Sequence, residues 1–167
     1  QTGPQLQGSM TVEAWIRLTD AADTSGRLAE KQSETGGPED FILGLENGYI
    51  TFSYRTAAGS VNTAMNRTFQ LTPAHGWIHV AAILNYPESP DGRVTLAVFL
   101  PREGVTHVQH VPTKGRLEGT PGRLVLGSTD PTRHVPCKMD EVRTWLAART
   151  LAEIAANRHA PVAGDAQ

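Results

Sequence analysis

The dipeptide Asn47-Gly48 separates two short runs of β-forming residues, 41–45 and 49–54. Asn and Gly both tolerate the positive φ that tight hairpin turns require, so this pair between two such runs is the strongest short-range signal for a β-hairpin. In the second run the apolar residues alternate with polar ones, and Ile50, Phe52 and Tyr54 share one face. The chain is therefore expected to build an antiparallel sheet that buries one face.

Strand-like patterns of this kind continue through most of the chain. We predict strands over 10–18, 27–31, 41–45, 49–54, 77–84, 94–100, 105–111, 123–127 and 139–145. The run 77–84 is almost continuously apolar, which is typical of a central strand covered on both faces. Charged residues make up only 19% of the chain, and 16 Gly with 11 Pro supply many turns. This composition favours an all-β sandwich over a helical bundle.

A single helix is predicted near the C-terminal end. Thr150 and Glu153 have the spacing of a capping box, and Leu151, Ile154 and Ala155 would form the buried stripe. The length of 167 residues fits one domain with a sizeable core. We predict an N-terminal segment 1–8, a sandwich domain 9–158 and a flexible tail 159–167.

Four segments, 9–16, 76–82, 124–128 and 139–145, occur in one order along the chain. With the hairpin and the terminal helix, they resemble the concanavalin A-like lectin/glucanase superfamily and, within it, the laminin-G-like jelly roll. The resemblance spans 9–154 and implies an all-β fold, a two-sheet antiparallel β-sandwich with one short C-terminal helix. One departure is the stretch 98–104, where many such domains carry a Tyr-Val-Asp-Gly-like turn. A longer hairpin is predicted there, and Pro101 cannot donate to a strand ladder.

Catalytic signatures are missing from the sequence. Glucanases of this superfamily place carboxylates at alternate positions of one strand, and no Glu-x-Asp-x-Glu or Glu-x-Asp-x-x-Glu motif occurs. The pairs Glu39-Asp40 and Asp140-Glu141 are adjacent, which predicts that their side chains point to opposite faces of a strand. There is no Gly-x-Ser-x-Gly elbow, and the lone Cys137 is interpreted as structural. We predict no catalytic residues and no enzyme activity; a glycosidase with an atypical site is the less favoured alternative.

Three aromatic residues fall inside the family-like segments. We predict core packing for Trp15, Trp77 and Trp145, which leaves few aromatic residues for a sugar platform in a chain with 6% aromatic residues. His79 lies on the central strand and is predicted to be a packed, hydrogen-bonded core residue. Asp140 is predicted to anchor a loop or cap by hydrogen bonds.

Ligand-binding candidates come from an outward polar row on the second arm of the hairpin and from the loop after it. This row comprises Tyr49, Thr51, Ser53 and Arg55, and the loop contributes Asn62, Asn66 and Arg67. Within this set, the candidates for ligand binding are Tyr49, Ser53, Arg55, Asn62, Asn66 and Arg67.

Calcium is the metal that the resemblance implies, because sandwiches of this family often hold Ca²⁺ in rim loops. Carboxylates on loops suit this hard cation. The candidate ligands are Asp20, Asp23 and Asp130, with Asp91 as a further loop acid. No residue pattern fixes a ligand spacing, so solvated loop acids remain the alternative interpretation.

We expect a non-catalytic recognition or adhesion module that binds a glycan or protein partner, as a lectin does. It would belong to a larger, secreted or cell-surface protein and contact other domains of that parent chain. The net charge of −2 and the lack of a basic run give no signal for nucleic acid, and the sequence has no apolar run for membrane insertion. The alternative is a structural or assembly domain with no ligand of its own.

Overall fold

The computed structural model describes residues 8–33, 39–86, 92–101, 106–117 and 119–160. In these ranges the chain forms ten β-strands and one α-helix, α1. The strands are β1 Met10–Leu18, β2 Gly26–Ser33, β3 Phe41–Glu46, β4 Tyr49–Arg55, β5 Val61–Met65, β6 Ile78–Asn85, β7 Arg93–Phe99, β8 Thr106–Pro112, β9 Gly122–Leu126 and β10 Cys137–Trp145. Helix α1 is Leu151–Asn157, and short 3₁₀ turns occupy Pro73–His75 and Pro131–Arg133.

The strands form two five-stranded sheets. Sheet A has the order β10-β1-β6-β7-β8 and sheet B the order β5-β4-β3-β2-β9. All neighbouring strands in both sheets pair antiparallel. This arrangement confirms the predicted two-sheet antiparallel β-sandwich with one short C-terminal helix. Strand β5 was missed, because the turn-rich stretch before it hid a five-residue edge strand.

The predicted hairpin is β3-β4, with Glu46 paired to Tyr49 across the turn. Asn47 and Gly48 have φ values of 52° and 80°. A Cβ atom at position 48 would lie 2.6 Å from the backbone oxygen of Leu71. The turn therefore needs Gly at this position for both its φ and its close contact with the neighbouring loop.

The main core lies between the two sheets. Phe41 on β3 and Phe52 and Tyr54 on β4 are fully buried. Their rings stack, with the Phe52 centroid 5.9 Å from that of Phe41 and 6.0 Å from that of Tyr54. The hydroxyl of Tyr54 accepts a hydrogen bond from the Lys114 backbone amide at 3.1 Å. The alternation predicted for β4 is confirmed, because its inward residues are buried and its outward residues are half-buried.

A second, smaller core lies on the outer face of sheet A, where α1 packs. Ile154 of the helix is completely buried against Ala81, Ala97 and Phe99. Strand β6 is therefore covered on both faces, as its apolar run predicted. Thr150 and Glu153 form the predicted capping box. Ala155 is exposed, so the predicted buried stripe is wrong at that position.

The C-terminal end of α1 is tied to sheet A by side chains from two strands. Trp15 Nε1 donates to the backbone oxygen of Arg158 at 2.8 Å. Arg143 donates to the backbone oxygens of Asn157 and Ala160 at 2.9 and 2.7 Å. The start of the predicted tail thus contacts the sheet, whereas 161–167 and nearly all of the predicted segment 1–8 lie outside the described residues.

Helix α1 is only seven residues long. Across the described ranges no helix has the length and apolar character needed to cross a membrane.

Candidate functional site

The outer face of sheet A is only partly covered by α1. At the C-terminal end of the helix, neighbouring strands place Asp140, Trp15 and the buried His79 side by side across β10, β1 and β6. In the next row, Lys138 pairs with Arg17, and Trp77 directly precedes β6. This end of the face is open to solvent.

A groove with two lobes lies there, and we call it the Trp77 groove. The first lobe, about 490 Å³, is lined by Arg17, Ala74, His75, Gly76 and Leu100. The second, about 420 Å³, is lined by Trp15, Asp140, Glu141, Arg158 and His159. Trp77 and Pro101 line both lobes. Each lobe falls within the roughly 300–1,000 Å³ typical of small-ligand sites.

The three tryptophans have different environments, which corrects part of the core-packing prediction. Trp77 is 37% exposed and presents its ring to the groove. Trp15 is 8% exposed, and the His159 ring lies over it with centroids 4.9 Å apart. Trp145 is half-buried beside α1, where its Nε1 donates to Glu13 at 2.8 Å. Core packing is therefore wrong for Trp77.

A β-bulge in β10 changes the predicted direction of two carboxylates. Glu13 pairs with Arg143 and Trp15 with Asp140, so a single residue of β1 stands opposite Glu141 and Val142. Glu141 adopts a φ of 50°, while Val142 packs against the core. Asp140 and Glu141 consequently both line the groove, and the prediction that they face opposite sides is wrong.

Both carboxylates are held by short-range contacts. Asp140 Oδ1 accepts a hydrogen bond from the Glu141 backbone amide at 2.8 Å, which lies in the same strand and not in the predicted loop or cap. Glu141 Oε2 pairs with Arg143 Nη2 at 2.7 Å. Since Arg143 also holds the end of α1, the helix and the acidic wall of the groove share one anchor.

Beneath α1, beside the groove, lie two buried ionisable residues. Glu13 and His79 are both completely buried, with 3.7 Å between Glu13 Oε2 and His79 Nε2. Neither ring nitrogen of His79 has a hydrogen-bond partner within the described part of the chain, so the predicted hydrogen bonding is wrong although the predicted burial is confirmed. Burial, followed by the nearby Arg158, Arg143 and His159, lowers the pKa of His79 to about 3.

The outward row predicted for ligand binding lies on sheet B, remote in the fold from α1. Tyr49, Ser53 and Arg55 do share one half-buried face of β4. Ser53 Oγ lies 2.8 Å from Thr63 Oγ1 on the neighbouring strand. Arg55 Nη2 lies 2.9 Å from Asp40 Oδ1, so its guanidinium serves a buried ion pair.

Asp40 is the centre of that buried network. It is fully buried and pairs with Lys31 Nζ at 2.6 Å, and Thr120 donates to it through both its amide and its hydroxyl. Burial alone would raise the pKa of Asp40, but the bonds from Lys31, Thr120 and Arg55 outweigh it and lower the pKa below its ordinary value. Arg55 thus has a structural role in addition to its outward position.

The remaining ligand candidates do not join this row in one pocket. Asn62 lies within strand β5, not in a loop. Asn66 is completely buried, and its side-chain amide donates to the backbone oxygens of Leu96 and His107 at 3.1 Å each. Asn66 therefore ties the loop after β5 to sheet A and is wrong as a ligand contact. Arg67 is exposed in that loop.

The predicted calcium ligands are engaged locally. Asp20 accepts from the Ala22 amide at 2.8 Å and Asp23 from the Ser25 amide at 3.4 Å. Asp130 caps the second 3₁₀ turn through the Thr132 amide at 2.9 Å. No group of three His, Cys, Asp or Glu side chains suited to a metal ion occurs among the described residues, and Asp91 lies outside them. Calcium binding stays a prediction.

Cys137 has the environment of a structural thiol. It is half-buried at the start of β10, against the main core. Burial raises its pKa to about 11, which leaves almost no thiolate at neutral pH.

Comparison with known proteins identifies relatives of the whole fold. A family model described as "Concanavalin A-like lectin/glucanases superfamily" matches residues 2–155. No curated protein gives a significant sequence match.

Solved structures share the architecture at low sequence identity. The binding domain of Paraclostridial Mosquitocidal Protein 1 superposes with a TM-score of 0.64 at 12% identity, over 91% of this chain and 37% of that one. A native heptameric SAP-like pentraxin from Limulus polyphemus superposes with a TM-score of 0.63 at 15% identity, over 93% of this chain and 71% of the pentraxin chain. A structure of botulinum neurotoxin type C superposes with a TM-score of 0.60 at 12% identity, over 91% of this chain and 35% of that one. Cell entry of that neurotoxin depends on interaction with two ganglioside molecules. The chain thus spans little more than a third of the two toxin structures.

Proposed function

The chain belongs to the concanavalin A-like lectin/glucanase superfamily, and on that premise we propose that it is a non-catalytic recognition module that binds a glycan in the Trp77 groove. The observation that carries this proposal is the exposed indole of Trp77 between two lobes lined by polar and charged side chains. Sugar rings bind through aromatic faces, while a few polar groups fix their orientation.

The groove offers both kinds of polar partner that saccharide hydroxyl groups need. Asp140 and Glu141 supply acceptors, and Arg17 and Arg158 supply donors. Arg17 lines one lobe, and Arg158 lines the other together with the two carboxylates, so a ring stacked on the Trp77 indole would have polar groups on both sides. On sheet B, the pocket beside the candidate Asn62 measures only about 100 Å³.

A binding role fits these carboxylates better than glycoside hydrolysis. A hydrolytic acid has to keep its proton near neutral pH, which requires an apolar, buried setting. Asp140 and Glu141 are both exposed, and Glu141 is paired with Arg143. The buried pair Glu13 and His79 lies under α1, out of reach of a ligand.

The structural neighbours support recognition as the general role. One of them is a binding domain, and another is a neurotoxin whose cell entry depends on gangliosides, which are glycolipids. By this analogy we propose that the protein lies outside the cell or on its surface, as part of a longer chain. The analogy concerns the fold, so the glycan itself has to be identified by experiment.

Metal is not required by the proposed mode of binding. The candidate acids Asp20, Asp23 and Asp130 each satisfy a local backbone amide and are not clustered among the described residues. We therefore expect glycan binding to persist in EDTA, with calcium at most an addition at a rim loop.

A second candidate function is assembly with a protein partner, and one observation favours it. Strand β9 forms an edge of sheet B and exposes Leu124 and Leu126, by 42% and 55%. An edge strand with exposed apolar side chains is a template for pairing with another chain. Concentration-dependent dimerisation lost in Leu126→Lys would support this function.

The test of glycan binding is a glycan array followed by titration calorimetry in EDTA. We expect Trp77→Ala to abolish binding and the matched aromatic variant Tyr49→Ala, on sheet B, to retain it. Both positions are at least partly exposed, so both variants should fold. Binding lost in Tyr49→Ala but kept in Trp77→Ala would move the site to sheet B and overturn the proposal.

A further inference from the structure

We propose that Asp140 and Glu141 form a paired-carboxylate element that accepts hydrogen bonds from two neighbouring hydroxyl groups of a neutral saccharide ring in the Trp77 groove. This inference rests on the proposed glycan-binding function and adds the chemical class of the ligand. It also assigns specificity to two residues that a regular strand would separate onto opposite faces.

The β-bulge is the device that brings the two carboxylates together. Opposite Ala14, strand β10 carries one residue too many, and the left-handed backbone of Glu141 absorbs it. After the bulge the side chains alternate normally again: Val142 points inward to the main core, and Arg143 points outward to the end of α1. Bulges near functional sites commonly re-aim a side chain, and here the re-aimed side chain is the second carboxylate.

The conformation of Glu141 is unusual for its residue type. A non-glycine residue at positive φ is uncommon, and Gly would adopt this backbone at lower cost. Strained residues of this kind cluster at ligand sites when their side chains have a role there. The side chain of Glu141 lines the groove, where it can contact a bound ligand.

The two carboxylates are oriented but retain free acceptor atoms. Asp140 uses Oδ1 for the Glu141 amide, and Glu141 uses Oε2 for Arg143. Within the described ranges Asp140 Oδ2 and Glu141 Oε1 accept no hydrogen bond. Two acceptors on one preorganised β-bulge can therefore receive a ligand without first breaking contacts inside the protein.

The surrounding charges select the class of donor. Ionised carboxylates only accept hydrogen bonds, so the ligand has to bring donors. A cationic group would meet Arg158 in the groove and Arg143 beside it, and an anionic group would meet the carboxylates themselves. Neutral donors remain, and among them the adjacent hydroxyl groups of a sugar ring can engage two neighbouring acceptors.

The test compares neutral oligosaccharides (gluco-, manno-, galacto- and xylo-hexaoses) with an acidic one, oligogalacturonate, by titration calorimetry. We expect the wild-type chain to bind at least one neutral hexaose. Asp140→Asn and Glu141→Gly should each weaken that binding about tenfold, as the loss of a hydrogen bond to a charged group predicts. Gly at position 141 can keep the left-handed backbone, so the variant should fold. A melting temperature equal to or above that of the wild type would show that the weaker binding comes from the lost carboxylate and not from unfolding.

Glu46→Gln, an exposed carboxylate removed on sheet B, is the matched control and should bind as the wild type does. Unchanged affinity in both groove variants would overturn the paired-carboxylate role. Binding of oligogalacturonate alone would also overturn it, while glycan binding itself would stand. No binding of any saccharide by the wild-type chain would refute the proposed function and this inference together.

Discussion

Glu13 Oε2 and His79 Nε2 lie 3.7 Å apart on neighbouring strands, and both side chains are completely buried beneath α1. The geometry is too long for a hydrogen bond, and the imidazole is held neutral. Trp15 and Phe99 enclose the ring, with centroids 5.1 and 5.6 Å away. The interface between helix and sheet therefore contains a histidine whose pKa of about 3 keeps it neutral over most of the pH range in which the protein folds.

This burial predicts acid sensitivity. The unfolded chain protonates His79 near its ordinary pKa of 6.5, whereas the folded chain does so only near 3. Between these values the unfolded state binds the extra proton, so the free energy of unfolding falls as pH falls, by up to about 1.4 kcal/mol per pH unit from this residue. We expect His79→Phe to show a shallower loss of stability in urea unfolding between pH 6 and pH 4.

His134, which is exposed, provides the control for that experiment. His134→Gln should keep the pH dependence of the wild type. An identical pH slope in His79→Phe and wild type would show that other groups control the acid sensitivity.

The Asp40 network is expected to be the most sensitive polar element of the fold. Asp40→Asn leaves Lys31, itself only 2% exposed, without its buried counter-charge. Breaking a buried pair in this way costs about 3–5 kcal/mol. Urea unfolding at pH 7 measures the change, and Asp20→Asn, at an exposed position, should stay within roughly 0.5 kcal/mol of the wild type. Equal stability of the two variants would contradict the network's role.

Two positions with positive φ are expected to respond to substitution with opposite signs. Gly48→Ala should destabilise, because φ is 80° and the new Cβ would lie 2.6 Å from Leu71 O. Glu141→Gly should be neutral or stabilising, since relief of a left-handed backbone is worth about 1 kcal/mol, and Arg143 keeps its hydrogen bonds to the backbone oxygens of Asn157 and Ala160. Thermal melting checks both, and a clear loss of stability in Glu141→Gly would show that the bulge depends on its carboxylate.

Local signals in the sequence predicted most of the fold. The Asn47-Gly48 turn, the alternation along β4 and the capping box at Thr150 are each determined by a few adjacent residues, and all three are confirmed. The same type of reasoning missed β5, because a short edge strand inside turn-forming residues has no clear period.

The candidate site was much less predictable. Trp77 lies in a family-like segment, which suggested core packing. Its exposure depends on how far α1 covers sheet A, and this tertiary packing cannot be read from the local sequence. The bulge at Glu141 arises from the register between β1 and β10, so counting along one strand gave the wrong face. A Glu beside an Asp in the closing strand was the only visible signal of the groove's acidic wall.

Thr150 links helix stability to the groove, and its substitution is expected to loosen both. Thr150→Ala removes the bond from the Glu153 amide and breaks the capping box, which costs about 1 kcal/mol. Arg158 and His159 follow directly after α1, so fraying should reach them at the groove and weaken the bonds from Arg143 and Trp15. Amide hydrogen exchange should therefore accelerate in 151–160, with β3 and β4 unchanged. Thr150→Ser, which keeps the hydroxyl, should retain wild-type protection, and equal exchange in the two variants would show that the cap does not control the helix.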